Sequence, residues 1–350
     1  MASKTITSFQ GLRGYAILLI FISHCNLIYN SSGVNIFNWA GALGVSCFIF
    51  LSGFLAISQY KKSNLFSTFI KKIKKFYPLH ILTFAVALVM FIKPLIARDT
   101  TTWLALISNL TLTQSWIPLS DFYFSFNSVS WYLSLTVAFI LFTPLIVKIA
   151  EKLKEKLVLT HIIFFTIIVF EFIWCIIAQS FFNTHYFVYI FPIARLLDLF
   201  MGAIVFILVN VYKDKIKFSG VGVIIVSITL ILLLALSIES NSEFFAASIW
   251  CLPVALLLGF LYIGDEDSKI INWFFKNKLI VCLGNISFEF FLIHQLVIKF
   301  SEKIFEKIQW GKSFWLYLLA FTISVLCAFI INKIKLSKIK KKEKSTIEQP

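Results

Sequence analysis

The sequence is short of charge. Asp, Glu, Lys and Arg make up 14% of its 350 residues, where a soluble domain carries about 25%. With 59% hydrophobic residues and a mean hydropathy of +0.88, that deficit excludes a soluble globular enzyme, a disordered chain and a coiled coil. The alternating ten-residue segments of a membrane β-barrel are absent too. No cysteine pair has metal-ligand or redox spacing: Cys25, Cys47, Cys175, Cys251, Cys282 and Cys327 stand singly in apolar segments and read as small buried hydrophobes. No cleavable signal peptide is expected, because the first apolar run continues to Ile28 and carries Arg13 and His24. Long internal repeats and a soluble domain are missing as well.

What is present is a succession of apolar runs long enough to cross a bilayer. Ten spans are expected, near 12–30, 41–59, 77–96, 130–148, 158–179, 187–211, 219–238, 244–263, 283–300 and 313–333. The stretch 103–118 is apolar but short and polar at its end, as a re-entrant or interfacial segment would be. The net charge of +15 would suggest nucleic acid in a soluble protein. Here the cations sit in short lysine-rich stretches between apolar runs, which instead marks cytoplasmic loops.

One set of loops holds Lys4; Lys61, Lys62, Lys71, Lys72, Lys74 and Lys75; Lys148 to Lys156; Lys213, Lys215 and Lys217; Lys269, Lys276 and Lys278; and the lysines from Lys333 to Lys344. The alternate loops hold only Arg98, Lys303, Lys307 and Lys312. The positive-inside rule then places both termini in the cytoplasm, in agreement with an even count. The expected fold is an all-α polytopic membrane bundle of about ten transmembrane helices over residues 1–335. A basic, disordered cytoplasmic tail, 336–350, would lie against anionic lipid.

Ionisable residues inside apolar spans are costly and are therefore the candidates for function. Arg13 and His24 are eleven residues apart, nearly the same face of a helix and roughly 16 Å along its axis. The guanidinium would sit at the cytoplasmic mouth, where it can take phosphate or carboxylate. The imidazole would lie deeper, where a neutral His can act as general base. The plainer reading is a snorkelling Arg and a packing His. Gly41, Gly44 and Gly53 with Ser46 and Ser52 permit close helix approach, or a thin-walled passage for a cofactor tail. Lys71, Lys72, Lys74 and Lys75 before Pro78, a residue suited to the first turn of a span, read as a membrane-surface anchor or a dock for a nucleotide-phosphate cofactor. Arg195 and Asp198, three apart on a helix, can pair. Glu289 and His294 share another span, Glu171 has no obvious partner, His80 reads as a capping or packing residue, and His161 and His185, at span ends, carry little information.

These segments resemble a known family. L12-R-G-Y-A-I-L-L-I-F-I-S-H24 followed by G44-V-S-C-F-I-F-L-S-G-F-L55 resembles the opening of the acyltransferase-3 family, bacterial integral-membrane O-acyltransferases of surface polysaccharides. K74-K-F-Y-P78, S130-W-Y-L-S134, F191-P-I-A-R-L-L-D-L-F-M-G202 and L283-G-N-I-S-F-E-F-F-L-I-H294 resemble later family segments, in order and across nearly the whole chain. The resemblance implies transfer of an acyl group, usually acetyl, from cytoplasmic acyl-CoA to a hydroxyl, with Arg13 and His24 essential. It makes acyl-CoA, here acetyl-CoA, the donor; the residues expected to bind it, read from charge and place in the chain, are Lys71, Lys72, Lys74, Lys75, Tyr77 and Ser52. A glycan or lipid-linked saccharide is the acceptor, met by Trp131, Arg195, Asp198, Glu289 and His294. No metal and no nucleic acid are expected, and the location is the bacterial cytoplasmic membrane. Gln10, Lys75, Thr136 and Asp198 depart from the usual family residues, which bears on acceptor identity. The competing class is a proton-coupled transporter or polysaccharide exporter, whose broken-span pairs and inverted repeats are not visible here.

Overall fold

The computed structural model describes residues 6–26, 35–60, 64–97, 99–181 and 183–347, without the side chains of 65 and 338–347. Lys4, Lys61, Lys62 and Arg98 of the loop-charge argument lie outside them, as does the end of the first apolar run. Among the described residues there is no strand. The helices are α1 (Thr7–Ser23), α2 (Asn38–Ser58), α3 (Leu65–Leu88), α4 (Ile92–Ile96), α5 (Thr100–Leu110), α6 (Ser120–Tyr123), α7 (Trp131–Leu153), α8 (Leu157–Ala178), α9 (Pro192–Tyr212), α10 (Ser219–Ser237), α11 (Cys251–Ile263), α12 (Lys269–Phe275), α13 (Lys278–Asn285), α14 (Ser287–Lys307) and α15 (Phe314–Ile347).

Among the described residues, six helical stretches are long and apolar enough to cross a membrane: Asn38–Ser58, Ser128–Leu153, Leu157–Ala178, Pro192–Tyr212, Ser219–Ser237 and Phe314–Ser337. The α13–α14 pair, bent by 79° at Ile286, supplies a seventh if it is one span. The remaining expected spans are helical but short or interrupted. α1 has 17 residues, about 26 Å at 1.5 Å per residue, under the roughly 30 Å hydrocarbon core. α3 spends its first half on lysines and ends at Leu88. α11 has 13 residues, preceded by two 3₁₀ turns.

The helical period decides which faces are buried. On α8, Val158, Ile162, Phe165, Val169, Ile173 and Ile176 are exposed, while Thr160, Phe164, Ile167, Glu171, Cys175 and Ala178 are buried. Both stripes step by three and four, so an apolar outer face meets lipid and one carboxylate is carried inward. The apolar window of α2 is 78% buried against 22% for α8, so α2 is a central helix and α8 a peripheral one. Close approach explains the centre. A side chain at Gly53 would strike the Leu199 carbonyl of α9, and one at Gly202 the Phe50 carbonyl of α2. The two backbones touch through reciprocal glycines.

Three sequence expectations are corrected. Pro78 is not in the first turn of a span: α3 starts at Leu65, capped by Asn64, whose side chain accepts from the N–H of Phe66 and Ser67, and runs through the proline. The lysine cluster is therefore on a helix rather than in a loop. Second, α15 continues to Ile347, so the tail is helical where disorder was expected. Third, not every cysteine is buried: Cys282 is exposed and Cys327 half-buried.

The 103–118 stretch forms α5 and a 3₁₀ turn, Gln114–Trp116. Its polar end is fastened inside the protein. Asn109 Nδ2 donates to Ser125 Oγ at 2.7 Å, Ser130 Oγ donates to Asn109 Oδ1 at 3.2 Å, Gln114 Nε2 donates to the Ser130 carbonyl at 3.1 Å, and Ser115 Oγ donates to the Trp131 carbonyl at 2.8 Å. Irregular backbone at membrane depth is tolerated where it is satisfied this way. The network fixes the start of α7 and with it Trp131.

Candidate active site

His24 follows the last residue of α1, where the helix stops. Its Nδ1 lies 2.8 Å from the Ile20 carbonyl oxygen and 3.2 Å from Nε2 of His294, and the two rings are 5.1 Å apart. His294, fully buried on α14, has its Nδ1 2.8 Å from the Phe291 carbonyl and 3.2 Å from that of Phe290. Carbonyls only accept, so both Nδ1 atoms carry hydrogen. Nε2 of His294 is then an acceptor, directed at the Nδ1–H of His24. Nε2 of His24 keeps its lone pair, with no partner among the described residues.

His24 lines a cavity of about 140 Å³, shared with Trp39, Trp131, Tyr189, His185 and Asn38. Trp131 is held against Tyr189, ring centroids 4.9 Å apart. Two indoles, a phenol and several hydrogen-bonding groups thus share one small cavity with this imidazole. That set can position a hydroxyl-bearing ring and remove its proton.

Arg13, eleven residues earlier on α1, is not on that cavity wall. Its Nη1 donates to Gln10 Oε1 at 3.1 Å. The hydroxyl of Tyr132, beside Trp131, meets the Ser52 side chain and is within electrostatic reach of both Arg13 and Arg195. Ser52 also donates to the Phe48 carbonyl at 2.7 Å. Lys71, Lys72, Lys74 and Lys75 are exposed together on α3. Tyr77 faces inward and donates to the Leu110 carbonyl at 2.8 Å. Glu289, 1% exposed, is bound by Lys335 of α15 at 2.8 Å.

Arg195 and Asp198 face each other across one turn of α9, Nη1 to Oδ2 3.0 Å, both almost fully buried. Arg195 Nη2 also donates to Ser46 Oγ at 3.1 Å, and the guanidinium lies 5.7 Å from the Tyr189 ring centre. Beside them are Glu171 of α8 and Cys251 of α11, whose Sγ donates to Glu171 Oε2 at 2.6 Å. The donor atoms of Glu171, Asp198 and Cys251 lie within 4.8 Å of one another. This is the one set of three metal-ligating side chains among the described residues, and the adjoining void is about 10 Å³. The neighbouring guanidinium pairs with Asp198, while Glu171 takes the thiol of Cys251 on one oxygen and has no partner on the other among the described residues.

Sequence reasoning brought Arg13 and His24 forward but missed three features. The partner of Glu171 is Cys251, 80 residues away, and no local spacing signals it. His294 was assigned to acceptor binding, whereas it touches His24. His185, set aside as uninformative, is on the cavity wall, its Nδ1 2.9 Å from Glu243 Oε2.

The structure is thus a multi-pass helical bundle with an imidazole on a small aromatic-lined cavity. A family model described as an acyltransferase domain matches residues 6–333, and the chain belongs to that acyltransferase-3 family. It is accordingly an enzyme that transfers acyl groups, and the transporter alternative gives way. Acyltransferase MdmB of Streptomyces mycarofaciens is 26% identical over 321 residues, covering 85% of this chain and 80% of the relative. No solved structure matches the chain.

Proposed function

We propose that the protein is a bacterial cytoplasmic-membrane O-acyltransferase. It moves an acyl group, acetyl, from cytoplasmic acyl-CoA to a hydroxyl of a cell-envelope glycan or glycolipid. The observation that carries this reading is His24 on the aromatic cavity, its Nδ1 engaged and its Nε2 without a partner among the described residues.

The cavity is built from helix ends: the C-terminal end of α1, the N-terminal ends of α2 and α7, and the turn before α9. Lys148, Lys152, Lys154 and Lys156 lie at the other end of α7, and Lys213, Lys215 and Lys217 at the other end of α9. Under the positive-inside rule the cavity faces outward, with both termini cytoplasmic and ten membrane passages, the short α1, α3 and α11 included. Lys71, Lys72, Lys74, Lys75 and Arg13 meet the phosphates of acyl-CoA on the inner side. At about 140 Å³ the cavity is smaller than the roughly 300–1,000 Å³ of a typical ligand pocket. It suits the acyl group and one end of the acceptor rather than a whole coenzyme.

The acceptor hydroxyl gives its proton to His24 Nε2 as its oxygen attacks the thioester carbonyl. The carbon–sulfur bond then breaks, and the CoA thiolate takes the proton back from His24. The step as written uses no metal. Arg195, Asp198 and Glu289 have no place on the cavity wall, and their role in this reading is to hold helices together. The test supplies membranes containing the protein with labelled acetyl-CoA, without an ion gradient, and follows label into extracted glycan and glycolipid. Label in that fraction is expected. Its absence from active, intact membranes would overturn the reading.

A further inference from the structure

The cavity holds a second imidazole with its own orienting group. His185 opens the single π-helical turn before α9 and lines the same cavity as His24. Its Nδ1 is 2.9 Å from Glu243 Oε2, with a third of the His side chain and about a quarter of the Glu side chain exposed. A carboxylate oxygen accepts, so Nδ1 carries the hydrogen, and Nε2 is the ring nitrogen left for a ligand. The imidazole ring also lies 5.1 Å from Tyr189, which in turn packs on Trp131.

The two imidazoles differ in what holds them. His24 Nδ1 meets a backbone carbonyl and a fully buried His294. His185 is held by a carboxylate at the more exposed rim. A carboxylate-oriented His is a fixed hydrogen-bonding post. Lining the same small cavity as the base and two indoles, it suits a substrate with more than one hydroxyl on a ring. One hydroxyl goes to His24 and reacts, a second goes to His185 and does not, and the ring face rests on indole.

We propose that His185, positioned by Glu243, is the acceptor-selecting residue of the cavity and recognises a neighbouring, unreacting hydroxyl of a polyhydroxylated ring. This rests on the acyl-transfer reading above and specifies the acceptor of that same site. Because the bond is made equally in ground and transition states, it should appear in acceptor KM and selectivity rather than in kcat.

The test uses the full-length protein in its membranes, with labelled acetyl-CoA and two probe acceptors: octyl β-glucoside, with a polyhydroxylated ring, and 1-octanol, with one hydroxyl. Wild type should prefer the glucoside in kcat/KM. His185→Ala should lose about tenfold of that preference, as expected for one hydrogen bond of about 1.4 kcal/mol, through a raised KM for the glucoside alone. Glu243→Gln, which still accepts from Nδ1–H without the charge, should fall between.

A preference unchanged in His185→Ala would overturn the proposal. So would equal use of both probes by wild type, or failure to use the glucoside by membranes that still label their own envelope. Equal loss toward both probes would mark a merely structural residue and also overturn it. Membranes that label no envelope material would instead sink the underlying acyl-transfer reading. The two failures are thus distinguishable.

Discussion

Two clusters of titratable side chains lie in this bundle, and they are finished differently. Around Arg195 the polar groups bind one another: Asp198 opposite the guanidinium, Cys251 on Glu171 and Ser46 on Arg195, beside a void of about 10 Å³. Around His24 the polar groups orient one another but, among the described residues, leave ring nitrogens without a partner beside about 140 Å³ of space. Buried charge alone therefore does not mark the chemistry in a membrane protein. The marker is an oriented group with an unspent lone pair and room in front of it. The first cluster joins α8, α9 and α11, and the second gathers the helix ends where an acceptor can arrive.

This contrast can be broken by substitution. The largest effect is expected at the closed cluster. Arg195→Met leaves Asp198 buried without its cation and should cost about 3–5 kcal/mol of stability, read as a fall in the unfolding midpoint of the purified protein in detergent. Removing both partners, Arg195→Met with Asp198→Leu, should recover much of that loss. If the single change costs nothing, the cluster is not a closed unit. Gly53→Val pushes a side chain into the Leu199 carbonyl and should cost about 1–3 kcal/mol by the same measurement. Tyr77→Phe removes the bond to the Leu110 carbonyl and should cost about 0.5–1.5 kcal/mol, with KM for acetyl-CoA unchanged. A raised KM would return Tyr77 to the donor site. The smallest effect is on the open lysine face. Lys74→Gln and Lys75→Gln should each raise KM for acetyl-CoA by no more than about fivefold, because exposed charge pairs contribute about 0.2–1 kcal/mol.

Much of the bundle was legible because the apolar period of a lipid-facing helix is strong, as on α8. The ends of α1, α3 and α11 were not, since apolar content continues past the point where the helix stops or turns. His24 and Arg13 were legible as ionisable residues at helical spacing in one run. The contacts of His24 with His294 and of His185 with Glu243 were not: they span 270 and 58 residues. No local pattern encodes which helix ends meet. Glu171 looked unpartnered for the same reason. Pro78 misled because a proline at a membrane boundary usually marks a first turn, whereas here the helix had already begun at Asn64.

The central claim is that His24 Nε2 takes the acceptor proton. It is tested most directly by the rate of label transfer from acetyl-CoA in membranes holding matched amounts of wild type and His24→Ala. A fall of about 10²–10⁴-fold, the contribution of a positioned general base, at unchanged protein level is predicted. Transfer at the wild-type rate by the variant would contradict the account.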